Sequence, residues 1–320
     1  MKRRYALVFL TLLVVNFALP RLMPGDPFTY LSVADGEVVT TFSPEQIGHY
    51  RAYYGLDKPM LSQFASYLAN LLRGNMGYSI YYNQEVSRMI ASRLPWTLGI
   101  VAASLVASCF AGGVLGALSA MRRRGRLDRV LYPVMVLFNE IPVFLLGIVL
   151  LFFLAAKLGA FPLSGGASPF ARHATWWGAA GDLARHAALP VMTLALSRIG
   201  GFYLLARGSM LTVLTKDYMR TARGKGLSGA RILFCHALPN ALPPIVARAF
   251  MSVGGLIGGA VLVENVFAYP GMGRLMREAV LMRDYVLVQG IFLVIAFSVL
   301  FMNWLADLVY RRLDPRVAPA

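Results

Sequence analysis

DYMRTARGKGLSGARILFCHALPN, residues 217–240, lies between two stretches apolar enough for lipid. It carries Arg220, Arg223, Lys225 and Arg231 against the single acid Asp217, with Lys216 just before it and Gly226 in its middle. The composition of residues 217–225 suits a helix. Gly226 can break or turn the chain, and Ser228 is placed to cap a second helix. From there Leu227, Ala230, Phe234, Ala237 and Leu238 mark one apolar face. Pro239, Pro243 and Pro244 are expected to end that helix before the next apolar run. A basic, glycine-broken segment of this kind suits nucleic acid, lipid headgroups or a groove on a partner. The rest of the chain decides among them.

Of the 320 residues, 58% are hydrophobic and only 14% are charged. Mean hydropathy is +0.60. A soluble domain carries roughly 25% charged residues, so this chain lacks the residues for a polar surface and reads as an integral membrane protein. The net charge of +16 would suggest nucleic acid in a soluble protein. In a membrane protein it is first a statement of topology. The two cysteines, Cys109 and Cys235, fall in an apolar run and in the basic segment, an arrangement that disfavours a disulfide. No Cys/His cluster points to a metal.

A spanning helix needs about 20 mostly apolar residues. Six stretches qualify, near residues 5–22, 96–121, 130–156, 187–211, 245–263 and 285–310. Lys2, Arg3 and Arg4 precede the first. Arg122, Arg123, Arg124, Arg126 and Arg129 fill the loop after the second. Residues 217–240 follow the fourth, and Arg311, Arg312 and Arg316 follow the sixth. If the spans alternate, all four clusters lie on one side, and the positive-inside rule puts them and both termini in the cytoplasm. The first stretch also fits a signal peptide, but no A-x-A-like site follows it, so a retained anchor is expected. Residues 23–95 become an outer segment with a helix starting at Ser43-Pro44-Glu45 and another carrying Phe64, Tyr67, Leu68, Leu71 and Leu72, stopped at Gly74-Asn75.

The sequence contains no P-loop, H-E-x-x-H or G-x-S-x-G motif. His49, His173, His186 and His236 are scattered. Catalysis is not expected, and transport or scaffolding is. Glu140 and Arg198 are ionisable residues inside expected spans, which is costly and marks either a mutual ion pair or a solute path. Gly112 and Gly116, and the glycines of Gly254-Gly255-Leu256-Ile257-Gly258-Gly259, have the G-x-x-x-G spacing of close helix packing, with a line of backbone along a solute path as the lesser reading.

The basic segment also resembles the "EAA" loop of ABC-importer permeases. Gly226 and Leu238-Pro239 hold that motif's spacing, while Arg220-Thr221-Ala222 stands where E-A-A would be and His236 where Ile would be. The variant is similar to that of the peptide/nickel branch of importer permeases. The likeness continues through Pro24-Gly25-Asp26-Pro27, Gly55-Leu56-Asp57-Lys58-Pro59, Leu72-Arg73-Gly74-Asn75-Met76-Gly77-Tyr78-Ser79 and Arg93-Leu94-Pro95-Trp96-Thr97-Leu98. It resumes at Ile141-Pro142-Val143-Phe144, Arg207-Gly208-Ser209-Met210-Leu211 and the run Glu264-Asn265-Val266-Phe267-Ala268-Tyr269-Pro270-Gly271-Met272-Gly273. It closes with Arg283-Asp284-Tyr285 and Leu313-Asp314-Pro315-Arg316. Glu140 departs from the branch pattern, where a small hydroxyl residue precedes Ile-Pro, a departure that fits a cationic solute.

The resemblance implies an all-α integral membrane protein with six transmembrane helices and the MetI-like fold of type I importers. It divides into an anchor (residues 1–22), a periplasmic helical segment (23–95), a five-helix core (96–310) with a coupling loop (212–244), and a cytoplasmic tail (311–320). It further implies a permease in a bacterial inner membrane, importing peptides, nickel or metal chelates. Its expected partners are a second homologous permease, two cytoplasmic ATPases, an extracytoplasmic solute-binding protein and membrane lipid. No nucleic acid and no cofactor are expected. Asp217, Tyr218, Arg220, Ala222, Arg223, Gly226, Leu227, Leu238 and Pro239 would form the ATPase-docking loop, against the blander reading of a basic helix on anionic lipid. Glu264, Phe267, Pro270 and Gly271 would face the binding protein, support an outer gate or anchor a loop. A secondary transporter or a membrane scaffold is the alternative, but no half-to-half similarity supports the former.

Overall fold

The computed structural model describes residues 2–22, 45, 48, 57–171 and 175–313. Ser43 and Pro44 of the expected outer helix, the Pro24–Pro27 motif, His173 and the tail beyond Leu313 lie outside the described residues. The described chain is helical, with one isolated bridge between Tyr78 and Glu85. The helices are α1 (Lys2–Leu22), α2 (Met60–Leu72), α3 (Val86–Met121), α4 (Arg126–Glu140) and α5 (Val143–Lys157). They continue with α6 (Trp176–Leu214), α7 (Asp217–Gly224), α8 (Gly229–Val266), α9 (Met272–Leu281) and α10 (Tyr285–Leu313).

Among the described residues, four helices are long and apolar enough to cross a membrane: α3, α6, α8 and α10. The stretch expected as a third span is not one helix. It is α4 and α5 together, bent by 104°. The cause is local. Pro142 lacks an N–H and excludes the preceding residue from helical geometry, and Ile141 accordingly sits at φ −71°, ψ 125°. In α1 the apolar run is Leu7–Ala18, shorter than a full crossing.

Two compact units divide the chain: Met1–Trp96 with Gly271–Leu300, and Thr97–Pro270 with Phe301–Ala320. In the first, Val86, Met89 and Ile90 form a buried core with Met272, Leu275, Met276 and Ala279 of α9 and Leu287, Val288 and Ile291 of α10. Phe17 of α1 meets Phe64 of α2 edge-on at 5.1 Å. Phe64 thus lies on the face expected for it, whereas Leu72 is almost fully exposed. Buried Asp284 caps α10, accepting from Leu287 N at 3.0 Å, and its other oxygen accepts from Tyr81 N at 3.1 Å and from Ser79 Oγ.

In the second unit α6 is the central strut. Gly112 and Gly116 of α3 bring that helix against its backbone. A Cβ on Gly112 would stand 2.7 Å from the Ile199 carbonyl oxygen, and one on Gly116 would stand 2.5 Å from that of Tyr203. Packing within one permease therefore accounts for this glycine pair. Tyr203 is fully buried there, with Ile199 and Met135.

Candidate coupling loop and intramembrane site

The basic segment folds as a helical elbow. In α7, Met219 and Ala222 are buried against Ala117 and Ala120 of α3 and Met210 and Val213 of α6, together with Ile232, Ala237 and Ala241 of α8. The chain leaves α7 through Gly226, at φ +70°. Gly226 N donates to Arg223 O at 2.9 Å and Leu227 N to Ala222 O at 3.4 Å, the paired bonds of a Schellman turn. Leu227 packs on the same apolar cluster as Ala222. Ser228 then caps α8, its Oγ accepting from Arg231 N at 3.4 Å. The space around Gly226 is open, so its backbone conformation, not crowding, calls for glycine.

Two expectations for α8 are corrected. The helix does not end at Pro239, Pro243 and Pro244 but runs through them to Val266. Residues Ile232–Ala237 are wound as a π-helix just before the prolines, a local adjustment of the kind that lets a helix pass through them, and Asn240 Nδ2 donates to the His236 carbonyl at 2.7 Å. The wider turn also changes the buried face. Ile232, Ala237 and Ala241 point inward, while Ala230 is exposed and Phe234 is 64% exposed. Leu238 is half-buried and Pro239 exposed.

The outward face of the elbow carries Asp217, Tyr218, Arg220, Arg223 and Lys225, all exposed. Asp217 and Arg220 approach to 3.8 Å but are almost fully solvated, a pairing worth little. The loop thus presents an aromatic and cationic surface above a buried apolar root.

A feature that sequence reasoning missed braces this root. Asp128 accepts from Arg207 Nε at 2.7 Å and Nη2 at 2.9 Å, from Ser119 Oγ, and from Arg124 N at 3.1 Å. Ser119 Oγ also meets the Tyr203 hydroxyl at 2.7 Å. The available signal was Asp128 itself, one acid within the arginine cluster 122–129.

Glu140 and Arg198 do not form an ion pair. Glu140 is exposed and accepts from Asn139 Nδ2 at 3.2 Å. Arg198 is half-buried on a cavity of about 190 Å³ lined by Ile141, Val143, Leu194, Ser197, Gly255 and Gly259. The 104° break between α4 and α5 separates the element carrying Glu140 from Val143. Gly255 seats the guanidinium: a Cβ there would lie 2.7 Å from Arg198 Nη2.

At the far end of α8, Glu264 is fully buried and its Oε1 accepts from Thr97 Oγ1 at 2.6 Å. Its carbonyl oxygen accepts from Tyr269 N at 2.8 Å. Burial, then the nearby Glu264 charge, pushes the Tyr269 phenol up to about 12, which keeps it neutral. Phe267 is buried against Gly147 of α5 and accepts from Gly165 N at its carbonyl, 3.0 Å. Gly271 is buried and Pro270 half-buried. Glu264 and Phe267 are thus enclosed by the packing of their own unit.

The family described as binding-protein-dependent transport system inner membrane component matches residues 112–319. A probable peptide ABC transporter permease of Sinorhizobium fredii is 36% identical over 301 residues, 94% of this chain and 92% of that one. A putative peptide transport system permease of Brucella abortus is 36% identical over 310 residues, covering 97% and 95%. The di/tripeptide transport system permease DppB of Pseudomonas aeruginosa is 35% identical, covering 97% and 94%. In fold, the chain is similar to a chain of the inward-facing MetNI methionine ABC transporter, with a TM-score of 0.55 at 18% identity over 71% of this chain and 96% of that one. The chain belongs to the family of binding-protein-dependent transport system inner membrane components, and is a multi-pass permease subunit of an ABC importer that works with an ATPase and a solute-binding protein.

Proposed function

We propose that this permease imports peptides, and that its ATPases dock on the elbow formed by α7 and the start of α8. The elbow's geometry carries the docking reading. Met219, Ala222, Ile232 and Ala237 root it in the ends of α3 and α6, while Tyr218, Arg220, Arg223 and Phe234 face outward. A push on the exposed face is thereby delivered to the ends of two membrane-crossing helices. The peptide reading rests on what the relatives in Sinorhizobium, Brucella and Pseudomonas are named to carry.

A second homologous permease completes the path in this reading, and two ATPases bind, one to each permease. The elbow and both termini lie in the cytoplasm, where the arginine clusters belong. The first helix, α1, serves as the sixth crossing, its short apolar run flanked by Lys2, Arg3 and Arg4. Glu264 and Phe267 stiffen the outer end of α8 rather than touch the binding protein.

Two measurements test this. Tyr218→Cys and Phe234→Cys should each cross-link to the ATPase in membranes, and Val106→Cys, exposed midway along α3, should not. Cells lacking this permease should lose uptake of labelled di- and tripeptides and keep uptake of nickel. Loss of nickel uptake alone would reject the peptide reading, and a silent elbow would reject the docking reading.

A further inference from the structure

We propose that Arg198 is an anion-recognising residue of the translocation path, receiving a carboxylate of the transported solute in the cavity between α5, α6 and α8. The inference rests on the peptide reading above, because a peptide brings a free carboxylate through the membrane at every turnover.

An arginine within a membrane-crossing helix is expensive and ordinarily finds a carboxylate or a carbonyl. Arg198 has no hydrogen-bond or ion-pair partner among the described residues, and the charge acting on it is Arg248, another cation. Glu140, the acid that sequence order offered, is bonded to Asn139 instead. The guanidinium nonetheless has a defined resting place in the structure. It lies over Gly255, where even a methyl group would collide with Nη2 at 2.7 Å. A side chain seated so closely and left unpaired is arranged for something that comes and goes.

The cavity suits that visitor. Its volume of about 190 Å³ has room for a carboxylate with several waters, each of which occupies about 30 Å³ in the liquid. Its walls are Ile141, Val143, Leu194, Ser197 and two glycines. In such a low-dielectric setting a guanidinium–carboxylate contact is strengthened, and its planar fork matches both carboxylate oxygens. Val143 is the first residue of α5, whose N-terminus has no side-chain cap, so the end of the broken helix adds positive potential to the same cavity. A lipid phosphate offers similar chemistry, and the test must separate the two sources.

The test uses the complete importer in proteoliposomes of neutral lipid, with a labelled dipeptide and its C-terminal amide. Loading of the binding protein is measured separately for each, and uptake is expressed per loaded binding protein. Wild type should favour the acid over the amide. Arg198→Met should cut uptake of the acid by about tenfold, the scale of one charge-assisted hydrogen bond, and leave the amide nearly unchanged. Arg198→Lys should recover part of the preference. Gly255→Ala, which displaces the guanidinium without removing it, should weaken the preference in an importer that still binds its ATPase. An unchanged acid-to-amide ratio in both Arg198→Met and Gly255→Ala would overturn the site while leaving peptide import intact. An Arg198→Met defect that arises only when anionic lipid is added would assign the cavity to lipid and overturn it as well. Failure of wild type to move either peptide would remove the peptide reading and this proposal with it.

Discussion

Arg207 grips both oxygens of Asp128, Nε on Oδ1 at 2.7 Å and Nη2 on Oδ2 at 2.9 Å. The pair ties the base of α4 to α6 within the arginine-rich loop, and the Tyr132 ring lies 5.1 Å from the same guanidinium. Asp128 is buried, so removing its partner strands a charge. Arg207→Met and Asp128→Asn should each destabilise the purified importer by about 3–5 kcal/mol, with the double variant recovering part of the loss. Thermal unfolding in detergent measures this. Two single variants as stable as wild type would show that the pair is dispensable.

Gly226 turns at φ +70° with open space around it. The cost of a side chain there is conformational, about 1–2 kcal/mol for an ordinary residue, and Asn tolerates the region best. Uptake should therefore rank Gly226, then Asn, then Ala, then Val. ATP hydrolysis by the docked partner should become less dependent on loaded binding protein in the same order. Equal uptake for Asn and Val would exclude this account.

Gly116 and Gly113 provide a matched pair on one helix. A Cβ on Gly116 would stand 2.5 Å from the Tyr203 carbonyl oxygen, whereas one on Gly113 meets nothing within 4 Å. Gly116→Leu should force α3 and α6 apart and reduce the amount of permease in membranes severely, an overpacking penalty of about 1–3 kcal/mol or more. Gly113→Ala should be silent. Immunoblots of membrane fractions, with ATPase co-purification as the assembly readout, decide between them.

These cases show what the sequence could reveal and where it ran out. Gly226 and Ser228 declared the elbow because turn chemistry is local: a positive φ and a cap need only adjacent residues. Gly112 and Gly116 revealed close packing through spacing alone. Local rules end a helix at Pro239, Pro243 and Pro244, yet α8 continues through them, with a π-turn over Ile232–Ala237 just before the first. That turn also moved Phe234 from the inner face to the outer. The Glu140–Arg198 pairing failed for a different reason. Ile141-Pro142 ends α4 inside the expected span; α4 still packs on α6, with Asn139 against Gly200, but Glu140 at its end is exposed and bonded to Asn139. Asp128 is hard to single out from sequence, because its partner Arg207 lies 79 residues away and five nearer arginines, Arg122, Arg123, Arg124, Arg126 and Arg129, surround it.

Thr97 donates to Glu264 at 2.6 Å in a fully buried setting. Thr97→Val keeps the shape and removes one donor from a buried carboxylate, a loss of about 1–3 kcal/mol or more. Thr97→Ser and Glu264→Gln should both be mild, since each retains a hydrogen bond. Stability should fall only in the valine variant, and uptake should follow stability rather than affinity for the loaded binding protein. An affinity change without a stability change would instead place Glu264 at the binding-protein contact.

Pro142 makes the sharpest case, because one missing N–H shapes the intramembrane site. It forces Ile141 out of helical geometry and starts α5 at Val143, and both neighbours line the cavity beneath Arg198. Pro142→Ala restores the donor and lets Ile141 turn helical, so α4 and α5 can fuse and draw Val143 off the cavity wall. The coupling elbow lies elsewhere in the chain and should be untouched. Uptake should fall by about an order of magnitude, equivalent to ~1.4 kcal/mol on the transport barrier, while co-purification with the ATPase stays at the wild-type level. Loss of both would mean that the bend is needed for assembly rather than for the path. Full uptake would mean that the 104° break is held by packing around it, with the proline only accommodating a shape fixed elsewhere.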